Sequence, residues 1–492
     1  MPPRTRGALP ALLIATALTL TGCGTATPKT TSAGTTTVAD QAEPGATPPA
    51  EAVAADTATA PAEPKARYTP TAGSLPVSVV PEGKPAKLAL VAPAPAGSGR
   101  PAPEAGAPDL KLTSYDQRTG EAVLAPAEGA PQPGRTAAAA AVKAGQLIDS
   151  PPSPAAPRGA LVAITAVKRA EGGKTAVSTR PATVSELLGD SSASLHTALD
   201  PRSITVEPQV KDLKVSFTPR ADGGNGSVSG GLKLDANTKV PLPHGASVDL
   251  SGSVRIDPSI DFSYDGHALS PRQAGVGFQV GARANWRVST AIAGSAEPIR
   301  IPLAKLHSTP TVMAGPVPVV FTLDLTLYAT VGADGKVTVD VEQRLAADWG
   351  IHSDYTKGKG WTTEVEPGTT NISPVRAELN GSATVRTGLD LEGSVALYDA
   401  VGVKAAIKPY LRSAVEGSVV IESGGAAPVV HGKAGLHGGL GIDGALMARI
   451  AIFGTPLFEK EIPLAGFRRE WPIVTRSTGT TTATPAPAPT KS

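Results

Sequence analysis

Cysteine is almost absent from the chain, which has a single one, Cys23, among 492 residues. One thiol can form neither an internal disulfide nor a cysteine-based zinc site. The seven histidines do not make up for this, because none belongs to an H-x-H or H-x-x-x-H pair of the kind that binds a metal. We therefore expect no metal site and no cofactor.

Excess charge of either sign is also missing. The 45 basic and 43 acidic side chains leave a formal net charge of +2, and the basic residues are scattered. A nucleic-acid-binding surface needs a concentrated basic patch, so nucleic acid is not an expected partner. The sequence also lacks a G-x-S-x-G nucleophile elbow, a phosphate-binding loop and a dinucleotide fingerprint. These absences predict a protein that is not an enzyme.

Large aromatic side chains are few and unevenly placed. Phe, Trp and Tyr make up 4% of the chain, and no Phe or Trp precedes Phe217. Proline shows the opposite gradient, with 25 of its 48 residues at positions 1–157. Because aromatic side chains supply much of the buried area of a core, we expect the folded mass in the last two thirds.

The first 23 residues have the three-part form of a secretory signal. Arg4 and Arg6 provide the positive region, and the apolar run Leu9–Leu20 follows. This run is too short for a stable transmembrane helix, which needs about 20 apolar residues. The motif Leu20-Thr21-Gly22-Cys23 then resembles the lipobox of bacterial lipoproteins, and the composition resembles that of actinobacterial proteins. The resemblance implies cleavage between Gly22 and Cys23 and a diacylglyceryl group on the Cys23 thiol.

The composition changes along the chain and predicts six segments. We expect a signal peptide at 1–22, a lipid-anchored low-complexity tether at 23–74 and a partly ordered Pro/Ala-rich region at 75–157. A small module follows at 158–200, in which a hairpin precedes a short helix at 181–188 that Gly189 ends. A large antiparallel β domain is expected at 201–475, and a disordered tail at 476–492.

Apolar residues in the body alternate with polar ones, which is the pattern of half-buried strands. The clearest run, Val276–Val288, has apolar residues at every even position. Another run, Phe321–Ala329, leads to Asp334-Gly335, a dipeptide typical of hairpin turns, and then to Val337–Val341. We therefore predict an all-β, mainly antiparallel meander of long strands. It would form an elongated roll, a sandwich or a partly closed barrel.

The body from about 159 to 472 is similar to a group of large secreted or surface β-rich bacterial proteins without a characterised function. The stretches that carry this similarity are Ala314–Val320, Tyr355–Trp361, Ala396–Val403 with Lys408–Arg412, and Pro181–Thr183. The resemblance implies the fold and no catalytic residues.

The candidate recognition surface is the stretch from Trp349 to Trp361, which also contains Tyr355. Aromatic rings beside polar neighbours can stack on sugar rings. The same residues can instead flank a Lys-Gly-Lys-Gly turn as cross-strand pairs of a hairpin. The sequence leaves both alternatives open.

The expected function is that of an exported, lipid-anchored, non-enzymatic structural or binding module at the extracellular face of the cell membrane. Besides the membrane itself, reached through Cys23, the partner can be a cell-wall polysaccharide, a lipid or a protein. One alternative is a carrier of lipid or another hydrophobic ligand in an apolar groove. Another, less favoured, is a hydrolase acting on cell-wall or other polysaccharides.

Removing the thiol at the lipobox tests the anchor. We expect Cys23→Ala to move the protein from the membrane fraction to the soluble fraction, because two acyl chains anchor a protein stably and none remains on the variant. Immunoblots of the two fractions measure this. Unchanged membrane retention of the variant would refute the lipid anchor.

Overall fold

Antiparallel strands make up nearly all of the regular structure in a computed structural model of the chain. The structure describes residues 74–81, 86–92, 105–106, 110–127, 141–169, 174–219, 230–242, 246–267, 270–422, 428–448, 462–463 and 466–477. All of them belong to one compact unit, Ala60–Ser492. The predicted signal peptide, Cys23 and the tether up to residue 73 lie outside the described residues, as does the predicted tail from residue 478.

The described strands form a small sheet and a large sheet. The small sheet has seven strands in the order β3-β2-β6-β7-β8-β5-β4. Their bounds are β2 Ala89–Val91, β3 Ala105–Gly106, β4 Leu110–Asp116, β5 Glu121–Pro126, β6 Leu147–Ser150, β7 Ala160–Arg169 and β8 Thr175–Pro181.

The large sheet has fifteen described strands, with the main order β11-β12-β13-β14-β16-β18-β19-β20-β21. Their bounds are β1 Val77–Val79, β9 Ser192–Ala198, β10 Thr205–Pro208, β11 Lys214–Pro219, β12 Gly230–Pro241, β13 Ser247–His267, β14 Ser270–Ser308, β15 Thr311–Ala314, β16 Val317–Thr356, β17 Gly360–Glu366, β18 Thr370–Leu397, β19 Val401–Glu422, β20 Val429–Ala448, β21 Ile462–Pro463 and β22 Phe467–Ser477. The all-β, antiparallel prediction is confirmed, and among the described strands the path of pairing runs from β11 to β21 without closing.

In the described part of the chain, an α-helix, α1, lies at Val184–Leu188 between β8 and β9; it is three residues shorter than the predicted helix at 181–188, because Pro181 ends β8. It begins with a capping box: the Thr183 side chain accepts from the Glu186 backbone N–H, and the Glu186 side chain accepts from the Thr183 backbone N–H. A 3-10 helix follows at Pro201–Ser203.

The predicted hairpin at Asp334-Gly335 is wrong. Both residues lie inside β16, a continuous strand of 40 residues whose partner β18 keeps its register through this point. Gly335 has φ of +119°, so the dipeptide does use a backbone conformation that favours glycine. Its effect is to bend an extended strand rather than to reverse it.

Gly335 belongs to a line of glycines across the large sheet, which we call the glycine row: Gly335, Gly381, Gly417 and Gly432. The last three are direct cross-strand neighbours, and Gly381 faces Val337, two residues after Gly335. All four have φ between +113° and +147°. Because they line up on adjacent strands, the strands can all bend along one line.

The bent sheet packs against itself. Phe278 pairs with Ile351, which follows Gly335 in β16, whereas Gly393 pairs with Leu325, which precedes it. The two residues thus lie on opposite sides of the glycine row. A Cβ atom added to Gly393 would nevertheless lie 3.0 Å from the Phe278 ring. Phe262 and Phe321 also meet across the fold, with ring centroids 5.8 Å apart in an edge-to-face arrangement. The large sheet is therefore a sandwich made by one sheet, with its apolar face inside.

The boundaries predicted at 157/158 and 200/201 do not separate units in the structure. β5 and β6 precede residue 158, but β5 pairs with β8 and β6 pairs with β7, which both follow it. β9 precedes residue 200 but pairs with β13 of the large sheet. Composition marks where a core is rich in aromatic residues, whereas strand pairing joins segments that are distant along the chain.

The glycine row predicts a strong position dependence of Gly→Ala substitutions. A Cβ at Gly417 would collide with the carbonyl oxygen of His431 on the next strand, at a φ of +114°. We expect Gly417→Ala to lower the free energy of unfolding by about 1–3 kcal/mol, which urea denaturation measures.

Gly441→Ala is the matched control on the neighbouring strand β20. A Cβ there comes no nearer than 4.0 Å to any atom, which is the distance to the Lys408 Cβ. Its effect should stay within about 1 kcal/mol. Equal losses in the two variants would contradict the assigned role of the glycine row.

Candidate functional site

The three aromatic residues that the sequence singles out do not form one surface. Trp349 is buried in the core, 3% exposed, and its Nε1–H donates to Oγ1 of Thr370 at 2.9 Å. Tyr355 and Trp361 are direct partners in the β16–β17 hairpin, with ring centroids 5.6 Å apart and planes 52° apart. Both are half-buried against the core. This geometry is that of the cross-strand pair, the second alternative that the sequence offers.

His196 and His307 each contact an aspartate carboxylate. Nδ1 of His196 lies 2.7 Å from Oδ1 of the buried Asp261, and this contact raises the pKa of His196. Nδ1 of His307 lies 2.6 Å from Oδ1 of Asp324. The part of the chain that the structure describes contains no group of three or more His, Cys, Asp or Glu side chains arranged to hold a metal ion.

A cavity of about 360 Å³ lies where the small sheet meets the large sheet. We call it the junction cavity. The polar residues of its wall are Tyr115, Gln117, Arg158, Asp399 and Tyr398, whose hydroxyl points to Asp149. The remaining wall residues include Ala155, Pro157, Leu161, Pro181, Ala182 and Ala400. Cavities that bind small molecules have this size range and this mixture of a mainly apolar wall with few polar groups.

The two sheets approach each other closely at this cavity. A Cβ on Gly159 of the small-sheet side would lie 3.0 Å from Cγ2 of Val320 on β16. Alternate residues of β2, β6 and β7, such as Ala89, Leu147 and Leu161, belong to the same apolar cluster as the interior of the large sheet. The opposite face of the small sheet contributes to a second core with Leu124, Ile148 and Val162. The cavity is thus framed by packed elements.

One wall of the junction cavity is the turn between β18 and β19. Tyr398 and Asp399 have φ of +49° and +55°, and the Ala400 N–H donates to the Leu397 carbonyl oxygen at 2.9 Å. Two successive residues with positive φ define a type I′ hairpin turn. The conformation is costly for tyrosine, and such strain persists only where the surroundings hold it.

The surroundings do hold this turn. Nη1 of Arg158 donates to Oδ1 of Asp399 at 2.7 Å and lies 3.5 Å from Oδ2 of Asp324. On the inner side, the Tyr398 hydroxyl lies 2.9 Å from Oδ1 of Asp149 and 2.8 Å from the Pro318 carbonyl oxygen. Asp149 is fully buried on β6, and burial raises its pKa well above the usual range.

No sequence motif points to this site. The stretch Ala396–Val403 contributes only to the resemblance to other β-rich proteins. Asp149 and Tyr398 are 249 positions apart in the chain, and no local pattern links them. The dipeptide Tyr-Asp between two alternating runs was the available signal, because Asp tolerates positive φ in tight turns.

Comparisons with family models, with curated proteins and with solved structures give no match to this chain. The lipobox and the resemblance of the body to secreted β-rich proteins therefore stay predictions. Within the described residues, no helix has the length and apolar character needed to cross a membrane.

The Tyr355–Trp361 pair predicts a measurable coupling. In a double-mutant cycle, we expect the double variant Tyr355→Leu/Trp361→Leu to lose less unfolding free energy than the sum of the two single losses. The difference should be about 0.5–1.5 kcal/mol. Urea denaturation of the wild type, both single variants and the double variant measures it. Strict additivity would show that the two rings do not stabilise each other.

Proposed function

We propose that this chain is an exported, lipid-anchored protein of the extracellular membrane face, and that it binds a small ligand in the junction cavity without catalysing a reaction on it. The lipobox Leu20–Cys23 supports the anchor. The volume of the cavity, about 360 Å³, supports ligand binding and is the observation that carries the proposal.

The wall of the cavity suits a ligand with both polar and apolar surface. Tyr115 offers an aromatic ring, while Gln117, Arg158 and Asp399 offer an amide, a guanidinium and a carboxylate. Planar polar groups of this kind bind hydroxyl and amide groups of a ligand, and the aromatic ring can pack on a sugar ring. A soluble fragment of the cell wall, made of amino sugars and a short peptide, carries all of these groups and is the partner that we propose.

Binding without catalysis is favoured by how the charged groups are used. Asp324 and Asp399 both contact the one guanidinium of Arg158, at 3.5 and 2.7 Å. A glycoside hydrolase needs two carboxyl groups on opposite sides of a scissile bond, one of them free to donate a proton. Two carboxylates that share an arginine instead hold the Arg158 guanidinium in place in the wall of the cavity.

The alternative of a lipid carrier has a weaker basis. Among the described residues, a pocket between the two faces of the folded large sheet has a volume of about 30 Å³ and is lined by residues such as Leu250, Trp286, Leu327 and Leu389. That volume holds about one water molecule and no acyl chain. The apolar part of the junction cavity wall is a second place where a hydrophobic ligand could bind, and the binding experiment includes such a probe.

Blocking the cavity at its rim tests the proposed function. Gln117 lines the cavity, whereas its neighbour Arg118 does not, and both are exposed in the turn between β4 and β5. We expect a disaccharide–peptide fragment of the cell wall to bind the wild type and Arg118→Trp with equal affinity. The bulky side chain of Gln117→Trp should weaken this binding at least about tenfold. Isothermal titration calorimetry of the full chain measures it.

Three outcomes separate the alternatives. If the wild type binds palmitate but not the cell-wall fragment, and Gln117→Trp abolishes palmitate binding, the protein is a carrier of hydrophobic ligands instead. Release of new reducing ends from the fragment would show hydrolysis and overturn the non-enzymatic assignment. Equal binding by the two Trp variants would place the ligand outside the junction cavity.

A further inference from the structure

Asp149 is the one aspartate with its side chain sealed between the two sheets in the described part of the chain. It is 0% exposed, and its cross-strand neighbours on β2 and β7 are the apolar Ala89 and Leu161. The large sheet faces it with the Tyr398 hydroxyl. Its second oxygen, Oδ2, has no hydrogen-bond partner in the structure. A carboxylate in such surroundings would lack most of the donors that a buried charge requires.

The hydrogen atoms around Tyr398 identify the state of this carboxyl. The phenolic oxygen lies 2.9 Å from Oδ1 of Asp149 and 2.8 Å from the Pro318 carbonyl oxygen. Tyrosine has one hydroxyl hydrogen, and a carbonyl oxygen has none to donate. Both contacts contain a hydrogen when Tyr398 donates to Pro318 and Asp149 donates to Tyr398. An ionised Asp149 would leave one oxygen–oxygen contact of hydrogen-bond length without its own hydrogen.

We propose that Asp149 is held as the neutral acid, donates its proton to the Tyr398 hydroxyl oxygen, and thereby acts as a positioning residue for the Tyr398–Asp399 wall of the junction cavity. The bond joins β6 of the small sheet to the β18–β19 turn of the large sheet. Tyr398 cannot turn away without breaking it. Asp399, the next residue, is thereby kept in reach of Arg158.

The charged groups nearby do not favour ionisation of Asp149. Arg158 pairs with Asp399 and Asp324 on the cavity side, and His307 pairs with Asp324. Tyr398 is the titratable group in contact; burial raises its pKa most, and the negative charge of an ionised Asp149 would raise it further. Burial raises the pKa of Asp149 well above 3.8, and this effect exceeds the lowering that a hydrogen bond from Tyr398 to an ionised Asp149 would cause.

The protonation of Asp149 stands on this geometry alone, whereas its role in ligand binding rests on the proposed function. The two parts are therefore measured separately. The first is read from stability against pH, and the second from the affinity for the cell-wall fragment.

Asp149→Asn gives the test of protonation, because the amide is neutral at every pH and can donate to Tyr398. In the wild type, the folded state keeps a proton that the unfolded chain loses above pH 3.8, so stability falls as pH rises until the raised pKa is passed. The folding equilibrium constant of Asp149→Asn, divided by that of the wild type, should therefore rise by up to about tenfold per pH unit between pH 3.8 and the raised pKa of the folded state. Urea denaturation of the full chains between pH 4 and pH 8 measures the ratio.

Ser150→Ala is the matched control, since Ser150 is the next residue of β6, is equally buried and does not titrate in this range. Its ratio to wild type should not change with pH. If the ratio of folding equilibrium constants for Asp149→Asn and wild type is also independent of pH, Asp149 is not protonated in the folded state and the proposal is wrong.

A second measurement uses the infrared band of a protonated carboxyl group. Tyr398→Phe keeps the ring and removes the oxygen that accepts from Asp149, so the C=O band of the wild type at pH 7 should shift in this variant. An unchanged band, or none in the wild type, would overturn the proposal even where Asp149→Asn does not fold.

The positioning role is tested with Asp149→Leu, which fills the space without a donor. At pH 7 we expect Asp149→Asn to keep the wild-type affinity for the cell-wall fragment and Asp149→Leu to lose about fivefold to tenfold, the worth of one hydrogen bond. Equal affinities in the two variants would overturn the positioning role. No binding by the wild type would instead refute the proposed function and leave the protonation result standing.

Discussion

Burial of one face of very long strands is the constraint on which the rest of the structure depends. β16 has buried side chains at every second position over 323–329 and 337–349, and continuously buried stretches elsewhere, so a flat sheet of such strands would expose a continuous apolar surface. The glycine row solves this by letting adjacent strands bend at one line, after which the apolar face closes on itself. The small sheet then covers part of the same core through β2, β6 and β7. The junction cavity and its buried acid exist because two differently built sheets meet there.

The sequence predicts the strands well where the local pattern is sufficient. The alternation in Val276–Val288 recurs as buried even positions in β14, and the capping box of α1 is visible in Thr183 and Glu186. Asp334-Gly335 shows the limit of this reasoning. A tight turn and a bend within a strand both use positive φ at glycine, so the dipeptide alone cannot distinguish them. The distinction is made by β18, which pairs with β16 on both sides of the bend.

The site was less predictable than the fold because it depends on contacts between distant segments. Trp349, Tyr355 and Trp361 stand out in a chain that is poor in aromatic residues, yet they serve mainly the core and one hairpin. The cavity wall instead uses residues of ordinary types, and its supporting pair joins Asp149 to Tyr398 across 249 positions. A buried carboxyl group, a strained turn and an ion pair at one cavity indicate function more strongly than any of the sequence motifs did. Of those motifs, the lipobox at Cys23 remains the one that concerns cellular location.

The folding of the large sheet onto itself is the central claim, and a spin-label distance along β16 tests it most directly. Labels would be placed on cysteines introduced at Thr326 and Asp354, with Cys23 replaced by serine. These positions are 28 residues apart on one strand, and a straight strand of that length spans about 92 Å. We predict a pulsed electron paramagnetic resonance distance below half of that length, because Phe278, beside Ile351, reaches Leu325 and Gly393. A distance near the straight-strand length would contradict the folded sheet and, with it, the shared core and the junction cavity.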